Sequence, residues 1–390
     1  MVEAVSHTGP AKPAGRPVRA VIGAVTTAVA CVIPVFLVGG QAVQIGAELR
    51  FDPAGLGLLV SIYFAVSALA SVPAGALVER FGATWTARAA IILSAATLGG
   101  IATARGYPAL AGLLVAAGPA NTLGQLAANA SLAARVPPRR QGLSFGIKQS
   151  AIPLSTLLAG VAVPTVALTA GWRWTFVIAA GLAVSALLAV PPDGAARRAV
   201  PAGGGRPPPG LVVLGAAAML AAGAAGALST FLVDSAVAGG VAPGPAGLTL
   251  AAGGAVCIAV RLVGGWYADR RAGGYLALVA TFLAVGSGGL ALLALPGPVA
   301  LGAGVGLGFG IGWAWPGLLN FAVVRLHPQA PAAATSVTQT GVYAGNCLGP
   351  LAFGATAAGA GYPTAWAGAA AAMLVGAALM WLSRRSRPPQ

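Results

Sequence analysis

Charged side chains are scarce in this sequence, and their scarcity decides the class of protein. Only 7% of the 390 residues are Asp, Glu, Lys or Arg, whereas 57% are hydrophobic and the mean hydropathy is +0.86. A water-soluble domain of this size needs far more charge to cover its surface. The composition therefore excludes a soluble globular protein and indicates a chain that lies largely in lipid.

Acidic residues, histidines and cysteines are also rare, and this limits the chemistry that the chain can perform. Both histidines lie outside the apolar runs, His7 in the N-terminal tail and His327 in a loop, so a histidine proton relay is not expected. Cys31, Cys257 and Cys347 fall inside apolar runs and have neither disulfide nor metal-ligand spacing. An enzyme site needs a cluster of such residues. We therefore expect no catalytic residue, no metal and no cofactor.

The apolar residues form twelve long windows, most of them near the ~20 residues that a helix needs to cross a bilayer. The alternating segments of ~10 residues that are typical of a membrane barrel are absent. The sequence therefore predicts an all-α membrane protein. The predicted spans are 20–48, 54–78, 87–104, 108–134, 143–169, 172–190, 211–236, 245–267, 274–295, 298–326, 333–358 and 363–382.

A stretch rich in Pro, Gly and Arg divides these spans into two sets of six. We predict an N-terminal tail (1–19), a first six-helix bundle (20–190), a linker (191–210), a second bundle (211–383) and a C-terminal tail (384–390).

The basic residues predict the orientation of the chain in the membrane. The net charge is +15, but the arginines lie between spans rather than on one face, so nucleic acid is not an expected partner. The two tails and the even-numbered loops hold seventeen basic residues, whereas the odd-numbered loops hold only Arg50, Arg105 and Arg173. By the positive-inside rule we expect a multi-pass protein of the cell membrane with both termini in the cytoplasm.

The two predicted bundles repeat each other in sequence. Several matching residues are separated by a constant 190 positions: Gly75 and Gly265, Arg80 and Arg270, Arg135 and Arg325, Gln149 and Gln339, and Gly171 and Gly361. A constant offset across six spans indicates duplication of a six-helix unit.

This organisation resembles the major facilitator superfamily over nearly the whole chain. The family's loop signature, with Glu for Asp in the first copy, follows the second and eighth spans: Gly75, Glu79, Arg80 and Gly82, then Gly265, Asp269 and Arg270. The resemblance implies two six-helix bundles related by a pseudo-twofold axis along the membrane normal. It also implies a monomeric secondary active transporter that moves a small solute by alternating access, with these loops gating the cytoplasmic side. A plain solvated turn is the alternative for each loop.

Two features bear on the branch of the family. The fourth span lacks the arginine, and the fifth lacks the Gly-x-x-x-Gly-Pro run, of the family's proton-driven drug exporters. The stretch Gly146-Ile147-Lys148-Gln149-Ser150 resembles permeases for small anions such as cyanate or nitrate.

Polar residues inside spans are costly in lipid, so they usually face a cavity or another helix. The predicted cavity residues are Gln41, Gln44, Asn121, Gln125, Asn129, Lys148, Gln149, Asp234, Arg261, Trp313, Asn320, Gln339 and Tyr343. Lys148 and Arg261 either contact an anionic solute or extend to the lipid headgroups. Asp234 and then Glu48 are the candidates for proton coupling, and each has an interfacial carboxylate as its alternative.

The expected function is therefore secondary transport of a small organic or inorganic solute, for which an anion is one option. Uniport, proton symport and exchange remain open. A drug or secondary-metabolite exporter is the alternative within the family. A membrane enzyme or a non-transporting sensor is the alternative of another class. The expected partners are the solute, the lipid bilayer and, for symport, protons.

Overall fold

The computed structural model describes residues 17–192, 209–269, 274–327 and 331–385, and within these ranges it contains helices and no strand. For residues 138–142, 209, 265–269, 331–333 and 385 only the backbone is described. The first half contains α1 (Pro17–Gly40), α2 (Ala42–Leu49), α3 (Pro53–Leu69), α4 (Ser71–Thr103), α5 (Tyr107–Arg135), α6 (Pro138–Gln149), α7 (Ala151–Ala162) and α8 (Trp172–Ser185). The second half contains α9 (Pro209–Ala238), α10 (Pro243–Asp269), α11 (Tyr275–Leu293), α12 (Pro298–Val305), α13 (Trp315–Leu326) and α14 (Pro331–Arg385).

Short irregular turns extend three of these helices. A π-helical turn, Val163–Ala167, continues α7, and a 3₁₀ turn, Ala186–Leu188, continues α8. A second π-helical turn, Gly306–Ile311, joins α12 to α13. Such turns inside apolar helices change the direction of the side chains that follow.

The helices fill the positions of the twelve predicted spans. Nine described helical stretches are long and apolar enough to cross a membrane, and the bent pair α2–α3 would make a tenth. The stretch Trp172–Leu188 is apolar but shorter. The number of helical stretches is also smaller than the number of predicted spans because α14 contains two of those spans, separated at Gly361 (φ 83°). Likewise α4 runs through a break at Gly82 (φ 81°), where the second and third predicted spans meet.

Local sequence explains where several helices begin. At α3 the Asp52 carboxylate accepts a hydrogen bond from the Gly55 backbone N–H (2.8 Å), and Pro53 occupies the first helical position. Gly171 before α8 and Gly361 within α14 both have positive φ, which glycine adopts without strain. These two glycines are 190 positions apart, so the repeat seen in the sequence is also a repeat of backbone conformation.

We call the face where α1 begins the near face, and the face where α2 ends the far face. Helices of the two halves meet closely toward the far face. A Cβ atom at Gly57 of α3 would collide with the carbonyl oxygen of Pro350 in α14, and one at Gly160 of α7 would lie 2.5 Å from the carbonyl oxygen of Gly247 in α10. Because these backbones touch, the far face of the molecule is closed by direct contact between the halves.

The predicted N-terminal tail, linker and C-terminal tail fall largely on residues 1–16, 193–208 and 386–390, which lie outside the described residues. The predicted domain boundaries therefore stay predictions.

Candidate functional site

Lys148 is buried near the centre of the molecule. It lies on the last turn of α6, only 4% of its surface is exposed, and its Nζ donates a hydrogen bond to Oε1 of Gln125 on α5. The lysine is therefore held inside the helix bundle by a neutral partner, and it does not extend to the lipid headgroups.

Arg261 of α10 joins the two halves at the same level. One terminal nitrogen donates to the carbonyl oxygen of Gln149 (2.6 Å), and the other donates to the carbonyl oxygen of Trp313 (2.8 Å). The guanidinium carbon also lies 5.9 Å from the centre of the Trp313 ring. Since Gln149 follows Lys148 directly, Arg261 contacts the same turn of α6 that carries Lys148.

The sequence explains why the Gln149 carbonyl is available. In a continuous helix it would accept a hydrogen bond from the backbone N–H four residues later. That position is Pro153, which has no N–H. Because of this proline, the Gln149 carbonyl oxygen has no helical partner inside the bundle, and it accepts a hydrogen bond from Arg261.

The surroundings of the two cations are neutral. Within the described part of the chain, neither Lys148 nor Arg261 is paired with a carboxylate. The Nε of Arg261 is buried and has no hydrogen-bond partner there. Buried charges are normally paired, so the arrangement has unused positive charge and an unused donor.

An aromatic group lies on the far-face side of the cations. The Phe36 and Trp313 rings are 6.3 Å apart and connect the two halves, and Phe309 lies 5.4 Å from Trp313. Gly124 packs on Cys31, so Gln125 is level with that part of α1. Phe36 is five residues, or ~7.5 Å along the helix, nearer the far face.

Four further predicted cavity residues are half-buried, and their place in a cavity stays a prediction. Asn320 is half-buried on α13 and lies about one turn after the exposed Gly317. Gln339 and Tyr343 are half-buried on the α14 face that carries Cys347, whose carbonyl accepts a hydrogen bond from Ser61 of α3 (2.5 Å). Asn129 is half-buried one turn beyond Gln125.

The predicted residues Gln41 and Gln44 are placed differently. Gln41 is fully buried, and the side-chain amides of both residues lack partners among the described residues. Gln44 lies one turn before Glu48 on α2, and α9 of the second half packs beside this segment, where Gly39 meets Ser229. The role of Gln41 and Gln44 as cavity residues stays a prediction.

Asn121 is also bound within the first bundle. Its Nδ2 donates to Oγ of Ser67 on α3 (3.3 Å), and its Oδ1 is buried without a partner in the described chain. The polar stripe of α5 thus contributes Gln125 to the cation site, while Asn121 packs against α3.

The two proton-coupling candidates lie toward the far face, each bound to an aromatic residue. Glu48 accepts hydrogen bonds from Nε1 of Trp172 (2.7 Å) and from Arg173 (2.5 Å). Asp234 accepts one from the hydroxyl of Tyr362. Trp172 and Tyr362 are 190 positions apart, so the two halves fix an acid in the same way.

The predicted gating loops are only partly described. Glu79 and Arg80 are exposed and form no ion pair within the described residues, and the Arg80 guanidinium lies 5.2 Å from the Phe81 ring. Of the second loop, Gly265 and Asp269 are described by backbone alone, and Arg270 lies outside the described residues. The gating role of Gly75, Glu79, Arg80 and Gly82 therefore stays a prediction.

Sequence reasoning missed Phe36, Phe309 and the carbonyl groups that hold Arg261. Phe36 and Phe309 are ordinary apolar residues of an apolar helix, so hydropathy gives no signal for them. The carbonyl at Gln149 had a signal, since a proline four residues later leaves it without a helical partner.

Comparison with known proteins places this arrangement in a family. The family model for the Major Facilitator Superfamily matches residues 20–350. No curated protein sequence matches the chain significantly.

Solved structures show the same fold. A bacterial homolog to the human lysosomal transporter Spinster, in an inward-facing and occupied conformation, is 17% identical, with a TM-score of 0.79 over 97% of this chain and 98% of that chain. The corresponding inward-facing and unoccupied structure is 16% identical, with a TM-score of 0.73 over 96% of each chain. The family match over most of the sequence and this common fold show that the chain belongs to the Major Facilitator Superfamily, as a multi-pass membrane transporter of a small solute rather than an enzyme.

Proposed function

We propose that the solute of this secondary transporter is a small organic or inorganic anion, and that it binds at Lys148 and Arg261. The observation that carries the proposal is that Lys148 is buried and Arg261 half-buried, with only neutral partners among the described residues. An anion between them would supply the missing countercharge and could accept a hydrogen bond from the free Nε of Arg261.

The surroundings of the pair suit a compact solute. Gln125 and Gln149 offer amide groups beside the cations, and the rings of Phe36 and Trp313 close the far-face side. The pair also falls partly within the stretch from Gly146 to Ser150 that resembles small-anion permeases. These features support a solute such as a small carboxylate, cyanate or nitrate.

The proposed mechanism is alternating access by a monomer in the cell membrane. With both termini in the cytoplasm, contact between the halves at the far face makes this an inward-facing form. The inward-facing conformations of the two similar structures support that assignment. Proton coupling through Asp234 stays a candidate, which a pH gradient in the assay below would reveal.

The test is flux in proteoliposomes. Uptake of labelled formate, lactate, cyanate and nitrate would be measured for the wild type, Lys148→Gln, Arg261→Gln and the control Arg88→Gln. Arg88 is an exposed arginine outside the proposed site. We expect each site variant to lower the initial rate at least ~10-fold, the order of one lost charge-assisted hydrogen bond of ~1.5–3 kcal/mol. The control should retain the wild-type rate.

Size-exclusion profiles and melting temperatures would show that both site variants fold. If folded Lys148→Gln and Arg261→Gln transport every solute at the wild-type rate, the anion site is wrong.

A drug or secondary-metabolite exporter is the second candidate. The clustered rings of Phe36, Phe309 and Trp313 favour it, because aromatic walls bind flat apolar compounds. Resistance measured in a host without its own pumps separates the two functions. Resistance to apolar compounds that persists in Lys148→Gln would favour the exporter.

A further inference from the structure

We propose that the protein is an anion exchanger, in which one anion crosses the membrane only in return for another. This inference rests on the proposed anion site and adds how transport through that site is coupled. Its basis is the charge that the empty carrier must bury.

Alternating access requires an intermediate that is closed to both sides of the membrane. In this form the site is already nearly dry at Lys148, which is 4% exposed. Closing the near face would remove the remaining water around both cations. A charge that leaves water without a partner is strongly disfavoured. The empty carrier therefore meets a high barrier at the closed intermediate.

The described residues offer no internal countercharge to lower this barrier. Glu48 is held by Trp172 and Arg173, and Asp234 by Tyr362, in both cases toward the far face. Asp52 caps α3 at the far face and Glu79 is exposed in its loop, so none of the four acids whose side chains are described pairs with the cations. The neutral groups that do contact the cations can orient their dipoles but cannot cancel a charge.

Loss of a proton by the cations does not remove this barrier either. A lysine can become neutral when it is desolvated, but a guanidinium keeps its proton in any protein environment. Arg261 therefore stays charged in every state of the cycle. Its fixed position between Gln149 and Trp313 also keeps it from moving to water. Since no described side chain cancels this charge, a bound anion is what makes the closed intermediate accessible.

The loaded carrier contains a negative countercharge that the empty carrier lacks. An anion can accept hydrogen bonds from the buried Nε of Arg261 and from the Nζ hydrogens of Lys148 that Gln125 does not use. Return of the carrier to the opposite face then needs a second anion. This coupling follows from the site's charge and requires no separate gate.

The test compares exchange with net flux for the wild-type protein, using the transported anion found in the assay above. Vesicles would contain potassium Hepes with or without the unlabelled anion, and valinomycin with equal potassium on both sides would hold the membrane potential at zero. We expect the initial uptake of label to be at least tenfold faster into vesicles that contain the unlabelled anion.

A reverse measurement adds a second readout. Efflux of label from loaded vesicles should be slow into anion-free medium, and it should rise at least tenfold when unlabelled anion is added outside.

Equal rates with and without anion on the opposite side would overturn exchange and establish uniport. Rapid uptake into anion-free vesicles that depends on a pH gradient would overturn it in favour of proton symport. Either result leaves the anion site standing. Absence of anion flux under every condition would instead reject the proposed function itself.

Discussion

At the scale of single residues, the structure fixes half-buried arginines by several hydrogen bonds at once. Arg135 at the end of α5 donates to Oγ of Ser131 (2.8 Å), to Oγ1 of Thr84 (3.1 Å) and to the carbonyl oxygen of Pro192 (2.9 Å). It thereby joins α4, α5 and the chain that follows α8. Guanidinium suits this role because its planar fork presents several donors at once.

Replacing Arg135 with lysine should lower the free energy of unfolding by ~1–3 kcal/mol, because an ammonium group cannot reach all three acceptors together. The melting temperature of purified protein in detergent measures this change. Arg88→Lys is the control, since Arg88 is exposed on α4. Equal melting temperatures for the two variants would show that the Arg135 contacts add nothing to stability.

Single residues also show how much of the candidate site the sequence could predict. Lys148 and Arg261 were identifiable as charges inside apolar spans; the structure buries Lys148 and half-buries Arg261, and their contact with a solute stays a prediction. Their mutual proximity was not identifiable, because it depends on how α6 and α10 cross. The sequence pattern also could not predict which helix packs against Gln41 and Gln44. A polar stripe identifies one face of a helix but does not identify the helix that packs against that face.

At the scale of helices, positive-φ glycines set where segments turn. Gly171 has φ 97° and ψ 149°, and its repeat partner Gly361 has φ 83° and ψ 163°. This region of backbone conformation is available almost only to glycine. The turn between the last two segments of each half therefore depends on one residue.

Gly171→Ala should destabilise the protein by ~1–3 kcal/mol through backbone strain alone, since no heavy atom lies within 4 Å of the added Cβ. Gly181→Ala is a matched control inside α8. It also has no neighbour within 4 Å, and its helical backbone accepts alanine. We expect this control to be neutral or to stabilise the protein by ~0.4–1 kcal/mol. Thermal unfolding of both variants would check the sign of each effect.

Hydropathy located the helices well but not their breaks. Hydropathy makes 20–48 one predicted span, although α1 ends at Gly40 and α2 begins at Ala42, where the sequence reads Gly39-Gly40-Gln41. The reason is physical: lipid selects for apolar side chains whatever the local backbone does. The break coincides with close contacts of Gly39 with Ser229 and of Gly40 with Ala159, which are tertiary. The same holds for the π-helical turn that precedes Trp313.

At the scale of the whole molecule, the contact between the halves at the far face defines the present form. Gly57 and Gly354 bring α3 and α14 together, and Gly160 and Gly247 do the same for α7 and α10. Duplication in the sequence predicted two related bundles, and the family fold confirms that architecture. Which face is closed could not be predicted, because one sequence serves every state of the transport cycle.

Gly57→Ala should shift the population away from the far-face-closed form, since the added methyl group meets the Pro350 carbonyl. Spin labels at the exposed positions Arg105 and Leu295, in a variant without its three cysteines, would report the far-face distance. We expect the distance distribution to gain a longer component. Gly99→Ala, which has open space around its Cβ, should leave it unchanged. An unaltered distribution in Gly57→Ala would mean that the contact can yield locally.

The far-face seam at Gly57, Gly160, Gly247 and Gly354 consists of uncharged backbone in close contact. Dissolved salt has little to screen there. The stability of this far-face contact should therefore respond weakly to ionic strength. Heat, hydrostatic pressure and the lateral tension of the surrounding lipid act on packing itself, and they are the variables that should tune it.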